Sequence, residues 1–210
     1  LRSELHHLLP LISSLIYSDS FYQDYHNGIF KNILTRTGKT NYMMAQIIVT
    51  FVSSFLVFFV TLFMNLMIVK VTFPSVGFEN NFGFPPYDIA VQNYDKSYFL
   101  DFVRVQNPFL YNVIALFILS VLAGLISIFT YAIYFLFLEK NRIYGLFVSF
   151  LCCTVADIAL GMLGHWDLSL LNQLNPFHKG NGLPLIVWGM IFIVISIFLL
   201  IQKGIRNEFI

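Results

Sequence analysis

The sequence predicts an all-α protein embedded in a membrane, on three observations. First, 58% of the 210 residues are hydrophobic and only 11% are charged, against about 25% charged in a soluble globular domain. A water-soluble fold of this size needs more charge to cover its surface, whereas lipid solvates apolar side chains directly. Second, the apolar residues come in long runs. Met43–Val69 holds 27 residues without a charge, Phe109–Leu138 holds 30 and Leu183–Ile201 holds 19. A helix needs about 20 such residues to cross a hydrocarbon core of roughly 30 Å. Third, the basic residues are shared unevenly between the connections, as in a chain oriented in a bilayer. The composition excludes disordered, collagen-like and disulfide-framework classes, and a net charge of +1 offers no basic face for nucleic acid. Cys152 and Cys153 are sequence neighbours, about 100° apart around a helix, which argues against a disulfide between them.

Five spans are expected within one membrane domain covering 1–210. Leu5–Tyr22 is the weakest, because His6, His7, Pro10 and Asp19 lie inside it. The chain starts at Leu1 without an initiator Met, so this segment reads as what remains of a longer N-terminal region. Met43–Val69 and Phe109–Leu138 exceed the bilayer thickness and should tilt or project beyond it. Ile143–Gly164 is interrupted only by Asp157, and Leu183–Ile201 closes the set. The connections on one side are 23–42, Glu139–Arg142 and Gln202–Ile210, with seven basic residues against three acidic. On the other side lie the N-terminus and the loops 70–108 and 165–182, with five basic against six acidic. The excess of Lys and Arg places the first set, and the C-terminus with it, in the cytoplasm.

The 23–42 connection carries a short amphipathic helix. After Gly28, the apolar residues Ile29, Phe30, Ile33 and Leu34 fall on one face, with Lys31, Asn32, Thr35 and Arg36 on the rest. Gly38 stands where a helix ends, and the basic residues near it complement the helix dipole. The outer loop 70–108 is crowded with Phe73, Phe78, Phe82, Phe84, Tyr87, Tyr94, Tyr98, Phe99 and Phe102, residues suited to the membrane interface. Short outer helices are expected within Lys96–Gln106 and Leu168–Leu174.

Polar residues inside the spans are few. Ser120, Gly124, Ser127, Tyr131 and Tyr134 follow one seam of Phe109–Leu138, suited to helix packing. Ser149, Cys153 and Asp157 follow an i, i+4 ridge, and Asp157 is the carboxylate deepest in an apolar run. Intramembrane carboxylates are costly and face a bundle interior or a wet cavity. This ridge lines either a substrate path, a chain–chain interface or a packed helix contact. Asn65 should face protein or the path, since lipid leaves its amide unsatisfied.

The order acidic residue, Gly, amphipathic helix, basic turn, long span resembles the permease subunits of ATP-binding-cassette exporters of the drug, polysaccharide and peptide export class. Their motif reads roughly acidic-x-x-x-Gly-Thr-x-x-x-Leu-Leu-x-Thr-Pro-x-x-Arg. The matching positions are Asp24, Gly28, Ile33, Leu34, Arg36 and Lys39. The family carries Thr-Pro where Thr37-Gly38 stands here, and Gly-Lys where Ala45-Gln46 stands. The resemblance implies an all-α, six-span permease half whose first span is missing from this chain. It also implies a cytoplasmic coupling helix at Ile29–Arg36. Asp24, Gly28, Ile29, Phe30, Ile33, Leu34, Arg36 and Lys39 would meet a separate ATP-binding-cassette ATPase there. The implied partners are that ATPase, a second permease chain, identical or different, and the lipid of a bacterial cell membrane.

No P-loop, His-Glu-x-x-His, Gly-x-Ser-x-Gly or Cys-x-x-Cys occurs in the sequence. The chain is therefore expected to be non-catalytic and to hold no cofactor of its own, ATP and magnesium belonging to the partner. Asn65, Ser149, Cys153 and Asp157 are the candidates for the substrate path or the interface between two permease chains. The cargo expected is amphipathic or hydrophobic, a peptide or toxin. The alternative is an ion-coupled secondary transporter using Asp157.

Overall fold

The computed structural model describes residues 2–72, 96–137, 142–175 and 180–205. The helices, in chain order, are α1 (Arg2–Leu15), α2 (Ser20–His26), α3 (Ile29–Leu34), α4 (Lys39–Thr72), α5 (Asp101–Gln106), α6 (Pro108–Tyr134), α7 (Arg142–Met162), α8 (Leu170–Leu174) and α9 (Leu183–Leu199). A π-helical turn at Leu200–Ile205 continues α9, and a 3₁₀ turn at Trp166–Leu168 precedes α8.

Among the described residues, four helices are long and apolar enough to cross a membrane: α4, α6, α7 and α9. This corrects the five-span expectation, and with it the six-span permease half lacking its first span. The Leu5–Tyr22 segment is two short helices. At 14 residues, α1 is about 21 Å long, well short of the hydrocarbon core. The sequence breaks it. Pro10, inside the helix, has no N–H to donate. The hydroxyls of Ser13, Ser14 and Ser18 bond back to the carbonyls of Pro10, Leu11 and Ser14, which competes with regular helix. Tyr17 then adopts a left-handed backbone, φ 57°, and the chain restarts as α2.

The centre of the bundle is α6, on which α1, α2, α4, α5, α7 and α9 all pack. A helix that is apolar all round belongs in such a position. Leu119, Leu122, Ala123, Ile126, Phe129 and Ile133 of α6 form a buried core with Leu9 of α1, Phe58 of α4, Cys153 of α7, Leu170 and Leu174 of α8, and Trp188 and Phe192 of α9. The expected seam of Ser120, Gly124, Ser127, Tyr131 and Tyr134 is buried along its whole length. The outward faces of α4, α7 and α9 are apolar, with Ile48, Val52, Leu56, Leu151, Val155, Ile158, Met190 and Val194 exposed. That suits a lipid solvent.

The helices sort into two ends. Phe21, Phe30, Tyr42, Met43, Tyr131, Phe135 and Leu200 meet at one, and Tyr134 there lies against Gly145 at the start of α7. At the other end, Gly180 N–H bonds to Ser97 O at 2.7 Å, Gly182 lies against the Phe99 ring and Lys70 sits 4.0 Å from the centre of the Phe109 ring. The expected helices within Lys96–Gln106 and Leu168–Leu174 are present here, shortened to α5 and α8. Phe73, Phe78, Phe82, Phe84, Tyr87 and Tyr94 lie outside the described residues.

Gly124 sets how closely α4 and α6 approach. A Cβ there would lie 2.7 Å from the Phe51 ring and 3.3 Å from the Phe51 carbonyl. Gly124→Val therefore overpacks this contact, at a cost of about 1–3 kcal/mol. We expect a lower melting temperature in detergent for Gly124→Val, with Val52→Ala on the exposed face nearly unchanged.

Candidate functional site

The α2–α3 hairpin forms one end of the bundle. It turns at Gly28, whose φ of 70° suits glycine; its Cβ would meet nothing within 4 Å, so backbone conformation rather than crowding selects the residue. Past the turn, α3 presents two unlike sides. Phe30 is 3% exposed, while its neighbour Ile29 is 45% exposed. Phe30 packs edge-on to Phe21 at 5.1 Å and against Tyr42 at 5.5 Å, and Phe21 stacks at 4.1 Å on Phe135, which caps the end of α6. Such pairs contribute about 0.5–1.5 kcal/mol each beyond burial. Ile33 packs on the same cluster.

A polar tie runs beside the aromatic one. The Tyr42 hydroxyl donates to Asp24, and Gln46 Nε2 donates to the same carboxylate oxygen at 3.3 Å. Ser20 Oγ donates to Gln46 Oε1 at 3.0 Å. Asp24 thus ties α2 to the first turns of α4. Asn32, Thr35, Arg36 and Thr37 are exposed, and Lys39 is half-exposed where α4 begins. The side chain of Leu34 lies outside the described residues.

The structure places the remaining candidates apart from this hairpin. Ser149, Cys153 and Asp157 are all buried along α7, which packs inside the chain against α1 and α6. Ser149 Oγ donates to its own helix at Leu146 O, 2.9 Å away. Asp157, 4% exposed, accepts the N–H of Leu170 at 2.6 Å. This latches the first residue of α8 into the bundle, where Trp188 Nε1 donates to Leu168 O at 2.8 Å and Gln173 Nε2 to Asp167 O at 2.7 Å. Asn65 is exposed on α4, about 7 Å along the helix from Lys70. On the nearby α5, a hydrogen bond to Asp101 holds the Arg104 guanidinium still more firmly protonated.

Sequence reading missed α2 and the role of Gln46. The signal was present: Tyr42, Gln46, Thr50 and Ser54 recur every fourth residue at the head of an apolar run. Among the described residues, no group of three His, Cys, Asp or Glu could hold a metal ion.

No family model, curated protein or solved structure matches the chain. The helices themselves define its class. It is a multi-pass, all-α integral membrane protein, with four long apolar helices among the described residues.

Removing the acceptor at Asp157 leaves a buried N–H without a partner, which costs about 1–3 kcal/mol. Asp157→Ala should speed amide exchange across Leu170–Leu174. Asp157→Asn keeps a carbonyl oxygen and should stay close to the parent rate.

Proposed function

We propose that this chain is the membrane subunit of an ATP-driven exporter, worked by a separate ATP-binding-cassette ATPase that docks on α3. The observation that carries the reading is the two-sidedness of α3. One side is fixed to α4 and α6 through Phe30, Tyr42 and Phe21, and the other leaves Ile29 and Arg36 open. A helix only passing along the surface has no need of so firm an anchor. A helix that must pass on a push does.

The uneven distribution of Lys and Arg favours the α3 end as the cytoplasmic one, with the C-terminus on the same side of a cell membrane. ATP and magnesium then belong to the partner, and this chain contributes no catalytic group. When the ATPase pair closes on nucleotide, displacement of α3 passes through the Phe30 cluster into α4 and through the Asp24–Tyr42 bond into the same helix. The response is a rigid-body shift of the bundle. A second permease chain completes the pathway, and the apolar surroundings favour an amphipathic or hydrophobic cargo such as a peptide or toxin.

The test is reconstitution with an ATP-binding-cassette ATPase that co-purifies with this chain in detergent; absence of any such ATPase contradicts the reading. Arg36→Glu combined with Lys39→Glu should weaken co-purification about tenfold, equivalent to about 1.4 kcal/mol, and remove stimulation of hydrolysis by cargo. Phe30→Ala should keep the ATPase bound but lose that stimulation. Unchanged stimulation in both variants rules out α3 as the docking helix.

A further inference from the structure

Two polar nodes lie inside the bundle, each complete in itself. The first is at the α3 end, where Asp24, Tyr42, Gln46 and Ser20 satisfy one another. The second is deeper, at the break in α1. There Ser54 Oγ and Ser127 Oγ are 2.7 Å apart, and Ser127 Oγ lies 3.0 Å from Ser13 O and 3.1 Å from Ile16 O. Ser54 donating to Ser127, and Ser127 shared between the two carbonyls, accounts for every hydroxyl proton in that node.

Between the nodes stand two orphans. Thr50 and Tyr131 are both 0% exposed, and neither hydroxyl has a hydrogen-bond partner among the described residues. The helix register brings both to the gap. Thr50 lies one turn from Gln46 and one turn from Ser54, about 6 Å along α4 from each. On α6, which runs antiparallel, Tyr131 lies one turn from Ser127 toward the same end. Direct hydrogen bonds cannot cross the roughly 12 Å separating Gln46 from Ser54 along the helix. Leaving two hydroxyls bare in an apolar interior is costly. A buried water needs two to four polar partners, and ordered waters commonly satisfy such groups.

We infer that this gap binds water. One or two molecules, held by Thr50 Oγ1 and the Tyr131 hydroxyl, join the nodes into one hydrogen-bonded column from Asp24 to the broken end of α1. The column gives water a route from the α3 end to mid-bundle and keeps the break between α1 and α2 wetted. The bound species is water itself, since neither hydroxyl brings a charge to hold an ion.

Two measurements test the site. In water-edited NMR of the protein in bilayers, polarisation should pass from water to the buried Thr50 side chain faster than to Val52 on the apolar outer face, since only a bound water lies within reach of Thr50. Thr50→Val and Tyr131→Phe, made in the otherwise unaltered chain, should each lower the melting temperature. Their combination should cost less than the sum, because both delete the same water. Removing an orphan from a dry gap has the opposite sign. A rise in melting temperature in either variant overturns the site, as does polarisation transfer from water to Thr50 no faster than to Val52.

Discussion

A helix that stops inside an apolar bundle exposes backbone carbonyls that lipid cannot satisfy, and the rest of this structure is arranged around that constraint. The interruption falls where α1 gives way to Tyr17 in a left-handed conformation. The Ser13 carbonyl, which accepts the Ile16 N–H, and the Ile16 carbonyl lie there; Ser127 from α6 reaches both, and Ser54 from α4 reaches the Ile16 carbonyl. Two small hydroxyl residues on separate helices thereby fix the register of α4 against α6 and hold the short α1 between them. Unsatisfied backbone groups in hydrocarbon cost several kcal/mol each, so the interruption and the serines require one another.

From that point the two ends diverge. Toward α8 the interior closes. Asp157, Trp188 and Gln173 pull the short segment between α7 and α9 into the bundle, and Leu170 and Leu174 pack with Leu9 in the core. Toward α3 the chain builds a stiff aromatic corner on Phe21, Phe30, Tyr42 and Phe135. The polar column runs into this corner, so the hairpin at the surface and the break at mid-bundle share one set of contacts. Motion of the hairpin relative to α4 would have to disturb the Asp24–Tyr42 bond.

The apolar runs made α4, α6, α7 and α9 legible, because a span-length stretch without charge has few other uses in a chain this poor in polar surface. The short α3 was legible too, from Gly28 and the apolar residues after it, but Ile29, expected on one face with Phe30 and Ile33, is exposed while those two pack inward. The first segment was not. Its length and hydropathy suggested a weak span, and the consequence of three back-bonding serines beside Pro10 depends on neighbours that only the fold supplies. Asp157 shows the same limit. Its depth in an apolar run pointed to a buried carboxylate, but its partner, the Leu170 N–H, lies 13 residues on and beyond a turn. Asn65 was expected to face protein or the path and is exposed on α4; nothing in the described residues covers it. Gln46, which ties α2 to α4, is a single amide near a span end, and only its place in the four-residue series Tyr42, Gln46, Thr50 and Ser54 marks it.

The account rests on α3 lying at the cytoplasmic surface, where an ATPase can reach it. The direct measurement is side-specific labelling of Thr35→Cys, with Cys152 and Cys153 replaced by alanine, using a membrane-impermeant maleimide. Labelling in inverted membrane vesicles and protection in intact cells is the predicted result. Labelling in intact cells puts the hairpin outside and contradicts the account.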